Sequence, residues 1–223
     1  MRVNKESMII RGSHKRPVFL KVLPTFGKID ITFLLACERM MTPVNSIIEA
    51  ITIVGKEIGD ARNNAIDFVL SRPKDKRPDY IFFLGDDIIP GPLSLICLYE
   101  IIKKGQWDIL SALYYVKEDF YPIPLLWREE IPGLLVEGKH YKLGETVESD
   151  ICGFDFTLCR PEIFEKIEYP WFRTGPTINE SRGIWLHTED VWAVKGCQKA
   201  GGKVGVATSV RVGHLDVNTG EVY

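Results

Sequence analysis

The sequence lacks an apolar run long enough to cross a membrane. The stretch that comes nearest, Leu93 to Ile102, is short and contains Glu100, whereas a membrane-spanning helix needs about 18 consecutive apolar residues. The N-terminal region is basic and contains no apolar block of the length found in signal peptides. We therefore expect a cytoplasmic protein.

An excess of either charge is also absent. The 223 residues include 28 Lys and Arg against 30 Asp and Glu, for a formal net charge of −2. A broad non-specific nucleic-acid binder would carry a basic excess, and an acidic disordered protein a strongly negative one. Hydrophobic residues make up 45% of the chain, which suffices for a packed core. We expect a globular protein with no nucleic-acid partner.

Several common catalytic and metal-binding signatures are missing. The five cysteines form no CxxC pair, which argues against zinc ribbons and thioredoxin-type redox sites and favours buried thiols. The sequence contains no GxxxxGK[ST], GxGxxG, GxSxG or HExxH motif. These absences weigh against P-loop, kinase, hydrolase and zincin functions.

Strand-like and helix-like segments alternate through the first half of the chain. Apolar runs predict strands at Val18–Leu23, Asn45–Val54, Tyr80–Leu84 and Ile109–Tyr115, and periodicity predicts helices at Ile31–Met41, from Asp60 to about Ser71, and from Pro92 to Gly105. This alternation indicates an α/β fold with a mostly parallel central sheet flanked by helices.

The second half is less regular. It ends in a predicted helix at Glu189–Ala200 and a predicted strand at Lys203–His214, in which Val204, Val206, Val210 and Val212 share one parity. Residues 1–17 form a basic N-terminal arm, and residues 18–223 read as a single domain. The arm leaves room for peripheral contact with an anionic membrane surface or an anionic acceptor.

Two acidic pairs are candidates for chemistry. Asp86 and Asp87 follow a buried strand, at the edge where α/β sheets bind ligands; they suit Mg²⁺ or Mn²⁺, or else form a solvated or capping turn. Glu189 and Asp190 precede an amphipathic helix. One of them is a candidate general base, and the alternative is that both complement the helix dipole.

His214 and Arg62 are further candidates. His214 ends a strand of valines, where a lone histidine is more often structural unless carboxylates converge on it. Arg62 begins a helix and suits a phosphate as a delocalised cation, or else a surface salt bridge. Trp127, Trp171, Phe172 and Trp185 are either core residues or a wall for a sugar ring.

The order of short segments resembles the family-two-like glycosyltransferases with the GT-A fold. The matching segments are FLKVLPT from Phe19, IGDARN from Ile58, YIFFLGDDIIP from Tyr80, CGFDFTL from Cys152, PWF from Pro170, TEDV from Thr188 and GHL from Gly213. They correspond to the first strand with its nucleotide loop, and to the family's "aRN", "DxD", "GxGxxL", "PWF", "ED" and "gH" segments. The resemblance covers residues 18 to 215.

This resemblance implies a specific site. A nucleotide-diphosphate sugar would bind with Mn²⁺ or Mg²⁺, held by Asp87 and His214, and Asp190 would be the general base of an inverting reaction, supported by Glu189. The remaining donor-site residues would be Pro24, Thr25, Arg62, Asp86, Gly153 and Asp155. Residues 18–115 would form the nucleotide-binding half and residues 116–223 the half that binds a glycan, lipid or protein acceptor.

One position departs from the family pattern. Gly85 stands where these enzymes usually have the first Asp of "DxD", so that Asp86 substitutes for it or metal binding is weaker. Two other functions remain open at this point: a sugar-phosphate nucleotidyltransferase, and a sugar-nucleotide-binding module without activity. A template-dependent polymerase is disfavoured because the chain is too short and too neutral.

Overall fold

The computed structural model describes residues 16–117, 121–131, 134–137, 141–179 and 183–223. The helices are α1 Ile31–Arg39, α2 Ile58–Leu70, α3 Ser94–Ile102, α4 Pro161–Phe164 and α5 Glu189–Lys199. The strands are β1 Val18–Thr25, β2 Ile47–Val54, β3 Tyr80–Leu84, β4 Ile88–Ile89, β5 Ile109–Leu113, β6 Tyr115–Val116, β7 Ile123–Pro124, β8 Leu126–Ile131, β9 Leu134–Glu137, β10 Thr146–Glu148, β11 Ile151–Cys152, β12 Phe156–Cys159, β13 Gly175–Asn179, β14 Gly183–His187, β15 Val204–Arg211 and β16 Gly213–His214.

The central sheet contains seven strands in the order β10-β15-β5-β12-β3-β1-β2. Strands β2, β1, β3, β5 and β15 run in one direction, and β12 and β10 run against them. The predicted α/β class with a mostly parallel sheet is therefore confirmed. The antiparallel strand β12 lies between β3 and β5, and it brings a segment of the second half into the centre of the sheet.

Two apolar layers cover the two faces of this sheet. One contains residues of α2 and α5, such as Ile66 and Val194, and the other contains residues of α1 and α3, such as Phe33 and Leu98. All five residues of β3 are buried, because alternate side chains enter opposite layers. Trp171 and Phe172 belong to the first layer, and the side chain of Trp185 lies outside the described part.

The cysteines are all free thiols, and Cys152, Cys159 and Cys197 are buried. The expectation of buried thiols is therefore confirmed for these three residues, whereas Cys37 is half-buried and Cys97 is exposed. Burial raises the pKa of all three buried thiols above the ordinary value. They serve as small apolar side chains in the core.

The predicted ends of several elements were wrong. Strand β1 continues through Pro24 to Thr25, because there it pairs with β2 whereas its pairing with β3 ends at Val22. A proline without an N–H group is compatible with a strand that is paired on one side. Helix α3 begins at Ser94 rather than at Pro92, and Gly91 donates its N–H to Ser94 Oγ at 3.0 Å.

Helix α2 begins before the residue that the sequence favours as its cap. Its N-cap is Glu57, which accepts a hydrogen bond from the backbone N–H of Asp60 at 3.0 Å. Asp60 therefore lies inside the first turn, where a negative charge complements the helix dipole. The shift places Arg62 in the second turn of the helix, facing the sheet.

Strand β15 contains an irregularity that overturns the predicted parity. Its register with β5 shifts between Ala207 and Arg211, so that Val204 and Val206 enter one apolar layer and Val210 and Val212 enter the other. A bulge reverses which face each side chain meets. The chain then leaves β5 and forms the short strand β16 against β4.

The basic arm at residues 1–17 falls almost wholly outside the described residues, and its predicted membrane contact lies there too. Within the described residues, the structure contains no helix with both the length and the apolar character needed to traverse a bilayer.

Candidate functional site

Polar side chains converge at the edge where the parallel strands of the central sheet end. Asp86 and Asp87 follow β3, and Tyr114 follows β5. Asp155 precedes β12, which runs in the opposite direction and so begins at the same edge. This edge is where open α/β sheets bind their ligands. The loops after β1 and the first turns of α2 and α5 complete it.

Arg62 binds three carboxylates at this edge. Its Nη1 donates to Glu189 Oε1 at 2.7 Å and to Asp190 Oδ1 at 2.5 Å, and its Nη2 donates to Asp155 Oδ1 at 2.7 Å. The Arg62 side chain is 2% exposed, against 16% for Asp190 and 25% for Asp155. The guanidinium is thus buried beneath the acidic groups, which face outward.

Aromatic rings surround the other side of this guanidinium. Its Cζ lies 6.0 Å from the ring centre of Phe83, 5.6 Å from that of Phe154 and 5.7 Å from that of Phe172. Arg62 Nε is buried with no hydrogen-bond partner among the described residues. The rings provide cation–π contact, and the carboxylates provide the charge balance. The sequence left a phosphate or a surface salt bridge open for Arg62; in the structure its partners are three carboxylates, and the guanidinium is buried rather than at the surface.

The protonation of this cluster follows from its charge and burial. One guanidinium faces three carboxylates, which raise the pKa of Arg62 above its ordinary value although burial acts to lower it. Burial raises the pKa of Asp190 to about 8, against the opposing effect of Arg62 and with added repulsion from Glu189 and Asp155. Burial raises the pKa of Asp155 as well. Asp190 is therefore a carboxylate whose affinity for a proton is increased.

Asp87 and His214 form a second group. Pairing of β16 with β4 sets His214 opposite Ile88, and its Nε2 lies 3.1 Å from Asp87 Oδ2. This hydrogen bond raises the pKa of His214 above its usual value. The backbone of His214 is fixed further by two hydrogen bonds with Tyr223, at 3.1 Å and 3.0 Å. Residues far apart in the chain are thus brought into direct contact.

The Asp87–His214 pair fits a divalent cation. Two adjacent ligands of an octahedral Mg²⁺, each at about 2.1 Å, lie about 3.0 Å apart, and the observed separation of the two side-chain atoms is 3.1 Å. Carboxylate oxygens suit Mg²⁺ and Mn²⁺. No group of three or more His, Cys, Asp or Glu that could hold a metal ion occurs among the described residues. A cation here would take its remaining ligands from water or substrate.

Tyr114 connects the two groups, although it was not among the residues predicted from the sequence. Its hydroxyl donates to Asp155 Oδ2 at 3.1 Å, and its ring centre lies 5.8 Å from that of His214. The side chain is 1% exposed. Its position near the carboxyl end of the predicted strand Ile109–Tyr115 was the available signal, because ligands bind at that edge of the sheet.

Gly153, predicted to border the donor, lies directly against the side chain of Tyr114. A Cβ added at Gly153 would lie 1.7 Å from the Tyr114 hydroxyl oxygen, so only glycine fits at this position.

Glu57 and Thr174 are two further residues of the site that the sequence did not predict. The Thr174 hydroxyl donates to Glu57 Oε1 at 2.9 Å and lies 3.3 Å from Glu189 Oε2. Nothing in their sequence context marked either residue.

The predicted nucleotide-loop residues lie beside these groups. Pro24 and Thr25 are buried at the end of β1, and Thr25 Oγ1 accepts a hydrogen bond from the Gly27 N–H at 3.0 Å. Burial and the neighbouring Asp87 raise the pKa of Asp86, and a hydrogen bond with Thr25 opposes that effect. Asp86 is thus linked to the loop after β1 rather than to His214.

Comparisons with known proteins bear on the fold. No protein-family model and no curated protein sequence matches the chain. Among solved structures, it is similar to A197 from STIV, with a TM-score of 0.60 and 20% identity over 90% of this chain and 86% of that one. It is also similar to GalNAc-T7, solved with UDP, GalNAc and Mn²⁺, with a TM-score of 0.58 and 12% identity over 90% of this chain and 44% of that one. The chain thus spans less than half the length of GalNAc-T7, and at these identities the likeness is one of fold. The chain has the GT-A-like α/β fold that its sequence segments imply.

Proposed function

We propose that the chain is a metal-dependent glycosyltransferase that moves a sugar from a nucleotide-diphosphate donor to an acceptor hydroxyl with inversion. The observation that carries this proposal is the convergence of two groups at one sheet edge. One is the Arg62 cluster with Asp190, and the other is the Asp87–His214 pair, with Tyr114 between them. The first suits proton transfer from an acceptor, and the second suits a metal-bound diphosphate.

The donor would bind with its diphosphate toward Asp87 and His214. These residues would hold Mn²⁺ or Mg²⁺, and a bound cation would neutralise the charge that develops on the departing diphosphate. Pro24, Thr25 and Asp86 would border the nucleotide. The presence of UDP, GalNAc and Mn²⁺ in GalNAc-T7 supports a nucleotide-sugar donor for this fold. Residues 18–115 would form this nucleotide half.

Asp190 would accept the proton of the acceptor hydroxyl. Its carboxylate lies in the first turn of α5 and is partly exposed, while Arg62 fixes its other side. A raised pKa increases the strength of a carboxylate as a base, and general-base catalysis is most effective when the pKa lies near the working pH. Glu189, more buried and bound to the same guanidinium, would position Asp190 and the acceptor.

The acceptor would be a glycan, a lipid or a protein hydroxyl, bound by residues 116–223. The basic arm at residues 1–17 would provide peripheral contact with an anionic surface. We propose residues 18–223 as one catalytic unit, since β12 of the second half lies between strands of the first half. This interleaving supports joint folding of the two halves.

A donor panel tests the proposal. The protein is incubated with UDP-, GDP- and ADP-sugars and Mn²⁺, and released nucleotide is identified by chromatography. Release of a nucleoside diphosphate is the expected result. In a parallel incubation with a nucleoside triphosphate and a sugar phosphate, release of pyrophosphate would identify a nucleotidyltransferase instead. Binding of a nucleotide sugar without turnover, with any acceptor offered, would identify a binding module.

Asp190→Asn tests the role of the base. The amide keeps the shape and can still accept from Arg62, but it cannot take a proton. We expect transfer to fall on the order of 10²–10⁴-fold, with donor affinity nearly unchanged. The matched control is Asp67→Asn at an exposed position of α2, which should transfer at the wild-type rate. Equal rates for Asp190→Asn and wild type would exclude this residue as the base.

A further inference from the structure

Two positions of this chain exchange residue types relative to the motifs that it resembles. Gly85 stands where the "DxD" pattern has its first Asp, and Asp155 stands where the "GxGxxL" pattern has its second Gly. In the structure, these positions lie side by side, Gly85 directly after β3 and Asp155 directly before β12, and the Gly85 N–H donates to the Asp155 carbonyl oxygen at 2.8 Å. The carboxylate that is absent at position 85 is thus replaced by one at the neighbouring position 155.

The space around Gly85 shows why the two changes belong together. A Cβ added at Gly85 would lie 2.8 Å from the Cβ of Asp155 and 3.0 Å from both its Cγ and its Oδ1. Real Cβ atoms essentially never approach other heavy atoms this closely. The Asp155 side chain therefore occupies the space that a side chain at position 85 would need, and Asp at both positions would require Asp155 to shift.

The carboxylate of Asp155 is held and accessible. Arg62 Nη2 donates to Oδ1 at 2.7 Å and Tyr114 donates to Oδ2 at 3.1 Å, while 25% of the side chain is exposed. Each carboxylate oxygen can accept more than one hydrogen bond. The group thus retains capacity for a ligand at the edge where Asp87 and His214 also lie.

We propose that Asp155 supplies the acidic group that the resembled motif places at position 85. The donor site of this chain then takes its first carboxylate from the start of β12 and its second from Asp87, after β3. Asp155 accepts hydrogen bonds from the metal-bound nucleotide end of the donor, and Arg62 and Tyr114 fix its direction. This inference rests on the proposed donor site.

An exchange experiment tests the relocation. Affinities for UDP, GDP and ADP are measured by isothermal titration calorimetry with and without Mn²⁺, and the nucleotide that wild type binds best is used throughout. We expect Asp155→Asn to weaken Mn²⁺-dependent binding about 10- to 100-fold, the range for a lost hydrogen bond to a charged group. Gly85→Asp alone should also weaken binding, because the added side chain displaces Asp155.

The double variant Gly85→Asp with Asp155→Gly carries the decisive result. It moves the acid to position 85 and frees the space there, so we expect binding within a few-fold of wild type. The matched control, Gly85→Asn with Asp155→Gly, has the same shape without the charge and should bind as weakly as Asp155→Asn. A purely structural role for Asp155 would give both double variants the same affinity.

The outcomes separate this inference from the proposed function. Absence of Mn²⁺-dependent nucleotide binding in wild type would overturn both. Wild-type binding with undiminished affinity in Asp155→Asn would overturn the inference alone, as would equal affinities in the two folded double variants. Circular dichroism shows whether each variant is folded. If the double variants do not fold, the comparison of nucleotide affinity between Asp155→Asn and wild type decides the inference.

Discussion

Arg62 lies in the interior, where a cation is rarely found unless it is paired. It is almost fully buried, and its charge is shared among Asp155, Glu189 and Asp190 rather than offered to solvent. Removing one member of a buried ion cluster leaves the others uncompensated, which costs about 3–5 kcal/mol. We expect Arg62→Leu to lower the free energy of unfolding by that amount, as measured by urea denaturation.

The pH dependence of this loss identifies its cause. Without Arg62, Asp155 and Asp190 lose the positive charge that lowers their pKa values, so at these two groups the folded protein binds more protons than the unfolded chain. The deficit should therefore be largest at neutral and alkaline pH and should shrink as the pH is lowered. Arg72→Leu is the control, since its partner Glu49 is 39% exposed and such pairs contribute about 0–1 kcal/mol. A deficit independent of pH would point to lost packing instead.

The raised pKa of Asp190 predicts how the rate of transfer depends on pH. Burial raises its pKa to about 8, and only the deprotonated form can accept the acceptor proton. Transfer measured as kcat/KM, which reports the groups of the free enzyme, should therefore rise as the pH increases through about 8. A profile that is flat from about pH 6 to 9 would contradict this assignment. In Asp190→Asn, the residual rate of transfer should no longer increase with pH in this range.

At the scale of elements, the end of β5 and the turn between β11 and β12 form a close contact. Tyr114 lies over Gly153, and an added Cβ would also lie 2.8 Å from Leu125 Cδ1. We expect Gly153→Ala to destabilise the protein by about 1–3 kcal/mol, the usual cost of overpacking. It should also displace the Tyr114 hydroxyl from Asp155. Thermal unfolding measures the first effect, and nucleotide affinity measures the second.

A double variant separates crowding from other causes of that loss. Tyr114→Phe removes the hydroxyl oxygen that the new Cβ would meet at 1.7 Å, although Cζ remains at 2.5 Å. Gly153→Ala should therefore cost less in the Tyr114→Phe background than in wild type, with a coupling of about 0.5–3 kcal/mol. Additive effects of the two changes would show that the contact is not responsible.

The elements predicted from sequence were those whose pattern is local. Strand β3 matched its prediction at both ends because Tyr80–Leu84 is a continuous apolar run closed by Gly85. Helix α2 was placed correctly but started late in the prediction, because Asp is the better cap by type whereas Glu57 holds the cap position in space. The bulge in β15 changes one strand's register and has no local sequence marker.

The site was predictable in its parts and not in its assembly. Asp87, His214 and Asp190 were each marked by position in the sequence and by the family resemblance. Their contacts join residues that are far apart in the sequence. His214 and Asp87 are separated by 127 positions and are brought together by the pairing of β16 with β4, and Arg62 and Asp190 are separated by 128 positions. Tyr114 and Thr174 acquire their roles only through such contacts. Local patterns carry no information on which side chain a given carboxylate will meet.

At the scale of the whole molecule, the net charge of −2 is a sum over unlike regions. Three carboxylates share one guanidinium at the sheet edge, and Asp86 and Asp87 lie beside them. With these carboxylates ionised, the edge carries excess negative charge, which disfavours a diphosphate unless a cation binds with it. The same electrostatics would make the donor site depend on metal even though the protein as a whole is nearly neutral.

Metal dependence of ligand stabilisation is therefore the expectation that tests the assembled edge. A ligand at about 100 times its Kd stabilises a protein by about 2.7 kcal/mol, which corresponds to a Tm increase of about 5–10 °C at this chain length. We expect the nucleoside diphosphate that the protein binds to produce this increase with Mn²⁺, and EDTA to abolish it. His214→Ala and Asp87→Ala should abolish it as well, whereas Asp75→Ala, at an exposed position remote from the edge, should not. An equal increase in EDTA would show that the nucleotide binds without a cation, and the Asp87–His214 pair would then hold no metal in donor binding.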